Sequence, residues 1–472
     1  MTFFAPKGEW VAPTEYPDLS SYRTIAVDLE TRDPHLRDRG SGWPRNDGYI
    51  IGVAVAVSNE AWYFPIRHEI GPNLDVKRTL GWLAELLSDS NREVVFHNAQ
   101  YDVGWLLAEG VQIKAAIRDT MIVAPLLDEN RFSYSLNNLS RDYLADIKSE
   151  KGLREAAAEF GVDAKSEMYK IPASFVGAYA EQDAALTLRL WDHFQTLIVK
   201  EDIADILALE NKVLSTVIPM RQRGVPVDIS RAEELKGYFH KKEKEFLKEI
   251  KRETGKHVEI WAAASIAEAF DAIDLPYPHT EKTNAPSFTK FWLKNHEHKV
   301  PKMIVEAREL NKARTTFVDT ILKHTHNGRI HAELNQLRSD DAGTVTGRFS
   351  YSNPNLQQMP ARNAEIGPLI RSLFVPEKDT LWGAFDYSSQ EPRLVVHYGS
   401  ILGFNGARDF ADEYNKDVTT DFHQMAADIV GVPRKQAKDI NLGLFYGMGT
   451  KRLAMGLGLE IEEGKKLFEE YH

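Results

Sequence analysis

Cysteine is absent from the 472 residues, which excludes disulfides and thiolate-bound metals. Long apolar runs are missing too. The longest, Tyr49–Val57, is far too short to cross a bilayer, so no membrane is expected as a partner. The opening MTFFAPKGEW has no basic start followed by an apolar stretch, so no export signal is expected and a cytoplasmic location is. No low-complexity segment or internal repeat is present. Positive charge is not in excess either: 58 Lys and Arg stand against 69 Asp and Glu, a net charge of −11. That balance alone argues against a nucleic-acid partner, although in a multidomain chain only the ligand-facing surface must be basic.

With 43% hydrophobic and 27% charged residues, the chain has the composition of a soluble globular protein able to build cores. Its length suggests two to four domains. Two stretches late in the chain stand out. The apolar run Leu381–Phe385 reads as a strand that ends in Asp386, and Glu391 follows five residues later, a way to hold a metal ligand at a strand end. Further on, Arg434, Lys438, Leu442 and Tyr446 recur every four residues and share one face of a helix. Two cations one turn apart suit a polyphosphate, and the ring of Tyr446 suits a base. A solvated cationic face has the same pattern.

Near the N-terminus, Thr24–Thr31 reads as a buried strand, with Ile25, Val27 and Leu29 on one side and Asp28 and Glu30 on the other. Adjacent carboxylates on an apolar strand repel and lose hydration, and a divalent metal relieves both costs. An edge strand with a solvated acidic face is the plainer alternative. Glu93–Asn98 reads as another strand, turning through Tyr101 and Asp102 into a helix. Tyr179 and Asp183, at i and i+4, face one cleft. Strands at 24–30, 49–57, 62–66 and 93–98 are predicted to alternate with helices at 76–88, 102–109 and 117–129. Helical spacing over Glu201–Arg223 stops at Gly224, and the lysine-rich stretch Arg231–Lys256 reads as a long solvated helix.

In this order and spacing, the early motifs resemble those of the DEDDy 3′–5′ exonucleases. From about Thr24 to the end, the chain resembles the family A DNA polymerases of the bacterial DNA polymerase I type. Asp386–Leu394 resembles their palm motif A. The Arg434–Tyr446 helix resembles motif B of the fingers. Thr344–Ser350 with Asn353–Gln358 resembles their Thr-Gly-Arg and Pro-Asn-Leu-Gln segment.

The resemblance implies an α/β multidomain protein, with an RNase H-like exonuclease domain followed by an incomplete thumb, palm and fingers right hand. It divides the chain into an N-terminal segment (1–21), the exonuclease domain (22–200), a thumb-like region with the start of the polymerase domain (201–375), a palm segment (376–400) and a fingers segment (401–472). By resemblance, Asp28, Glu30, Asp102 and Asp183 hold metal for excision, and Tyr179 orients the attacking water. Asp386 is the metal ligand for synthesis, with the Tyr387 carbonyl beside it. Glu391 crowds the sugar 2′-hydroxyl. His423, Arg434 and Lys438 bind the triphosphate, and Tyr446 stacks near the templating base. Leu442 departs from the aromatic residue common at its position, and Pro392 from the usual leucine. Thr346, Arg348, Asn355 and Gln357 contact primer–template, where donors sense minor-groove acceptors without reading sequence.

The implied activity is DNA replication with proofreading, on primer–template DNA and dNTPs, with two Mg²⁺ ions per active site and Mn²⁺ as a substitute. A phage origin, with the host cytoplasm as location, fits the absence of a 5′-nuclease region. The family's His-Asp-Glu motif C, with the second palm aspartate, is not found. One palm carboxylate cannot hold two ions. The expectation is therefore a second polypeptide carrying the remaining fingers and palm, as in a split polymerase, or a shortened chain. The alternative function is a stand-alone 3′–5′ exonuclease whose polymerase-like half only binds DNA.

Overall fold

The computed structural model describes residues 8–340, 342–361 and 363–471. They form two compact units, residues 1–380 and residues 381–472.

The first unit is built on a five-stranded mixed sheet in the order β3-β2-β1-β4-β5. Its strands are β1 (Thr24–Arg32), β2 (Tyr49–Val57), β3 (Glu60–Pro65), β4 (Glu93–Phe96) and β5 (Ala116–Asp119). β1 runs antiparallel to β2 and parallel to β4, and so lies in the middle rather than at an edge. That position removes the solvated-edge reading of its acidic residues. β2, with Ile50 to Val57 buried, is covered on both faces, which its unbroken apolar sequence requires. In register, Asp28 lies opposite Ala54 and Glu30 opposite Gly52, and a bulge follows between Glu30 and Thr31.

The helix Ala173–Lys200 packs across β1, β2 and β3. Its buried residues, among them Val176, Ala180, Leu186, Leu190 and Phe194, recur at helical spacing. The helix Ala99–Ala108 begins three residues earlier than its predicted start and puts Trp105 into the same core. One prediction is corrected here. Residues 117–129 are not one helix: Ala116–Asp119 is the fifth strand, parallel to β4, and the helix Thr120–Leu127 starts only when the Asp119 side chain accepts from the Met121 N–H. The strand's sequence, Ala-Ile-Arg-Asp, shows no apolar–polar alternation to mark it as a strand.

Helix Ala204–Arg223 ends at Gly224 (φ 62°), and the chain enters the long helix Ile229–Thr254 through Asp228, whose side chain accepts from the Arg231 N–H. This helix pairs with Lys299–Lys312, and Glu243, buried between them, is held by Asn311 (2.8 Å) and Arg314 (3.1 Å). The strands Glu333–Asn335 and Ser350–Ser352 pair antiparallel and frame the Thr344–Phe349 loop.

The second unit is helical: Gln390–Ile401, Ala407–Lys416, Phe422–Val430, Arg434–Phe445, Thr450–Leu457 and Ile461–Tyr471. A small core forms around Ile440, Leu444 and Leu453. The strand predicted before Asp386 is absent. Residues 381–387 have no regular secondary structure, with Leu381 93% and Phe385 98% exposed. A strand needs a neighbour for its backbone groups, and among the described residues none lies beside this run.

Candidate active site

β1 delivers Asp28 and Glu30 to one face of the sheet, and the helix Ala173–Lys200 brings Asp183 to meet them. Their carboxylate oxygens lie within 4.8 Å of one another. Glu181 Oε1 ties that helix to β3 by accepting from the Tyr63 N–H (3.1 Å), and to the N-terminal segment by accepting from Trp10 Nε1 (2.9 Å). The turn after β4 carries Asp102. Asn98 adopts a left-handed conformation (φ 76°), and the Asn98 and Ala99 N–H groups donate to the Asp119 carboxylate at 3.0 and 2.7 Å. Asp102 itself is buried and accepts from the Leu29 N–H at 3.0 Å. It therefore sits against the strand segment between Asp28 and Glu30, one step behind the close trio.

The charges in this cluster are frustrated. Burial pushes the Asp28 carboxyl up to about 7, helped by the charge of Asp183 and opposed by the ammonium of Lys148. Glu30 lies well above its ordinary value, first through burial and then through Asp28 and Asp183. Asp102 is raised by burial and by Asp28, against the Leu29 N–H that favours its ionised form. Asp183 is raised by burial, with Lys148 and Tyr179 offsetting it. Asp183 Oδ1 is buried with no hydrogen-bond partner among the described residues. Close, desolvated oxygen donors with an orphaned carboxylate oxygen fit a hard divalent cation. Tyr179 reaches the same place, and burial together with Glu30 and Asp183 raises its phenol, so it stays protonated and acts as a donor.

A pH signature follows. Between about pH 4, where unfolded carboxylates titrate, and the value of about 7 at Asp28, the folded site holds protons that the unfolded chain releases. The site's contribution to metal-free stability therefore falls as pH rises through that window. A divalent ion relieves the repulsion, so the gain in melting temperature on adding Mg²⁺ is expected to be larger at about pH 8 than at about pH 6. Equal gains at both values, measured by calorimetry, would count against a carboxylate site of this kind.

Beside the Asp102 turn opens a cleft of about 910 Å³, lined among others by His97, Asn98, Tyr101, Gln336 and Arg338. Burial holds His97 down at about 4, so it is neutral at working pH. On the Thr344–Gln357 loop, Thr346, Arg348 and Gln357 are exposed and Asn355 is half-buried. Gln357 Nε2 donates to the Phe349 carbonyl (3.0 Å), while Asn355 Oδ1 accepts from the Gln357 N–H (3.1 Å).

In the second unit, Asp386 and Tyr387 are exposed, and Glu391 lies in the first turn of Gln390–Ile401. Arg434 is not a lone solvated cation. Its Nε donates to Asp421 Oδ2 at 2.6 Å, and Asp421 also caps the helix Phe422–Val430. His423 is buried, and burial lowers its pKa. It lies in the fields of Asp421, Lys438, Arg434 and Glu391, which gathers those residues in one neighbourhood. Lys438 is exposed, Leu442 is half-buried, and Tyr446 stands at the helix C-terminus, 66% exposed.

The sequence reading missed Lys148, whose ammonium donates to Tyr179 and Asp183 inside the carboxylate cluster. A single lysine in the polar stretch Asp146–Glu150 gives no signal of that placement.

A mixed sheet whose central strand carries paired carboxylates, joined by a third from a flanking helix, is an arrangement that could hold a divalent cation. Residues 16–198 match the family model of a 3′–5′ exonuclease, and residues 229–472 match that of DNA polymerase family A. The chain belongs to the family A DNA polymerases and carries a 3′–5′ exonuclease domain. A DNA-directed DNA polymerase of Pseudomonas phage M6 is 36% identical over 480 residues, which covers 97% of this chain and 72% of that protein. A DNA polymerase DpoZ of Acinetobacter phage SH-Ab 15497 is 29% identical over 478 residues, covering 94% and 73%. In fold, the chain is like the POL domain of Pol1 from M. smegmatis in a complex with DNA primer-template and dNTP. The TM-score is 0.73 at 21% identity, over 96% of this chain and 74% of that one. No helix among the described residues is long and apolar enough to cross a membrane.

Proposed function

We propose that the Asp28, Glu30 and Asp183 cluster, backed by Asp102, is a metal-dependent site that removes nucleotides from the 3′ end of DNA. The observation that carries this reading is the approach of three carboxylates within 4.8 Å on the middle strand of the sheet and its flanking helix. Divalent cations held there, Mg²⁺ or Mn²⁺, would stabilise charge on the phosphate and on the departing 3′ oxygen. Tyr179, kept protonated, orients the attacking water by donating or accepting a hydrogen bond and does not serve as a base. The cleft of about 910 Å³ next to the start of the Ala99–Ala108 helix, with the amides of Asn98 and Gln336 and the guanidinium of Arg338 along it, would take part of an unpaired strand.

In the polymerase half, Asp386 with the Tyr387 carbonyl would hold metal for nucleotidyl transfer. His423, Arg434 and Lys438 would take the triphosphate. Glu391 would exclude a 2′-hydroxyl, and Tyr446 would stack by the template. Thr346, Arg348, Asn355 and Gln357 would hold the primer–template duplex. Arg434 must then share its guanidinium between Asp421 and a phosphate. The exposed apolar residues Leu381, Trp382, Phe385, Tyr398, Ile401, Leu402 and Phe404 support a further piece of palm and fingers packing here. A second polypeptide or additional sequence of the same protein would serve equally.

A second reading has its own observation. Asp386 is exposed on an unpaired segment, so the polymerase half of this chain by itself could bind DNA without synthesis. A labelled primer–template with Mg²⁺, with and without dNTPs, separates the two. Shortening in Mg²⁺ alone is the expected result of the excision reading, and shortening without extension when dNTPs are added is the result expected of the DNA-binding reading. Extension in the presence of dNTPs would rule out the DNA-binding reading of the polymerase half.

A further inference from the structure

We propose that Lys148 is a positioning residue of excision: its ammonium is the built-in counter-ion of the acidic cluster and leaves Asp183 when divalent metal loads. The inference rests on the exonuclease reading above. The loop that carries Lys148 is tied down from both ends. Helix Leu136–Leu144 stops at Ala145, which takes a left-handed conformation (φ 52°). Asp146 then pairs with Arg189 (2.6 Å), the Lys148 N–H donates to Asn137 Oδ1 (3.3 Å), and the Ser149 N–H donates to Gln182 Oε1 (3.0 Å). Arg189 and Gln182 belong to the same helix as Tyr179 and Asp183, so the loop is fastened to the helix that it serves.

Lys148 Nζ donates to the Tyr179 hydroxyl at 2.7 Å, lies 3.9 Å from the centroid of that ring, and donates to Asp183 Oδ2. The side chains of Lys148 and Asp183 are each only 8% exposed. A buried ammonium is costly unless it is paired, and here its partner is the equally buried carboxylate of Asp183. It therefore does in the metal-free chain part of what a cation does in the loaded one. Two positive centres cannot share this desolvated space cheaply, since like charges a few ångströms apart repel strongly at low dielectric. Metal loading is thus an exchange of counter-ions. The Tyr179 phenol, gripped by Lys148 beforehand, becomes free to meet the attacking water only after that exchange.

The test titrates Mn²⁺ into the whole chain at about pH 8 without DNA and follows binding by electron paramagnetic resonance. Lys148→Met keeps the aliphatic stem and removes the competitor, so it is expected to bind Mn²⁺ about tenfold more tightly than wild type. Equal or weaker binding overturns the proposal. Melting curves guard against a merely structural effect. Without metal, Lys148→Met is expected to melt below wild type, and saturating Mn²⁺ is expected to close the gap. A gap that persists in metal also overturns it. Asp28→Ala serves as the control for the site itself. If that variant still binds Mn²⁺ and excises like wild type, the exonuclease reading falls and the inference with it. If Asp28→Ala loses both but Lys148→Met binds as wild type does, only the inference falls.

Discussion

Replacing Asp28 with alanine is expected to slow excision from the 3′ end by on the order of 10³-fold while the protein stays folded. Asp28 sits in the middle of the central strand, opposite Ala54, and faces both Glu30 and Asp183. No other described carboxylate can move into its place, because Asp102 is committed to the Leu29 N–H. The fold should tolerate the change. Alanine fits this strand, and the substitution deletes a carboxyl whose ionised form burial and Asp183 disfavour, raising it to about 7. Metal-free melting should therefore be unchanged or raised. Single-turnover excision of a 5′-labelled primer, with circular dichroism on the same samples, checks both parts. Loss of activity together with loss of fold would remove Asp28 from the catalytic account.

Gly52→Val is expected to destabilise the exonuclease domain by about 3 kcal/mol or more through overpacking. Gly52 lies opposite Glu30, and a Cβ there would stand 2.0 Å from the Tyr63 hydroxyl and 2.2 Å from its ring carbon. The ring cannot yield. Tyr63 is fully buried, its hydroxyl bonds His68 Nε2 at 2.7 Å, and His68 Nδ1 meets the Ile171 carbonyl at 2.8 Å. The glycine lets a large phenol cross β2 beside the acidic cluster, on the same face of the sheet. Chemical denaturation should show a lowered midpoint and, because β1 shifts with β2, weakened excision in the fraction that folds. A midpoint within error of wild type would mean that the Tyr63 contact is looser than the geometry shows.

These two positions illustrate what a sequence carries. Asp28 and Glu30 were legible because alternating carboxylates on an apolar strand have few inexpensive explanations, and Tyr179 and Asp183 because helical spacing puts them on one face. Gly52 was silent, since a glycine in a strand does not announce the ring that lies over it. Lys148 was silent for a related reason. Its loop has no periodicity, and its placement depends on Arg189 and Gln182, distant in sequence. The helix Arg434–Phe445 was read correctly from its four-residue repeat. The partner of Arg434 was not, because Asp421 is supplied by the cap of the preceding helix. The stretch Leu381–Phe385 went the other way. Its composition suits a strand, but a strand exists only through neighbours, and among the described residues it has none. Most of the elements around the acidic residues could thus be read locally, whereas the fifth strand, the ion pairs and the strand partners depended on the assembled fold.

The most direct test of the carboxylate cluster as an excision site is a time course on a 5′-labelled single strand with Mg²⁺, repeated with a chelator. The expected result is a ladder that shortens one nucleotide at a time from the 3′ end and stops when the metal is removed. Absence of shortening in Mg²⁺, or shortening that survives chelation, would contradict a metal-dependent site at Asp28, Glu30 and Asp183.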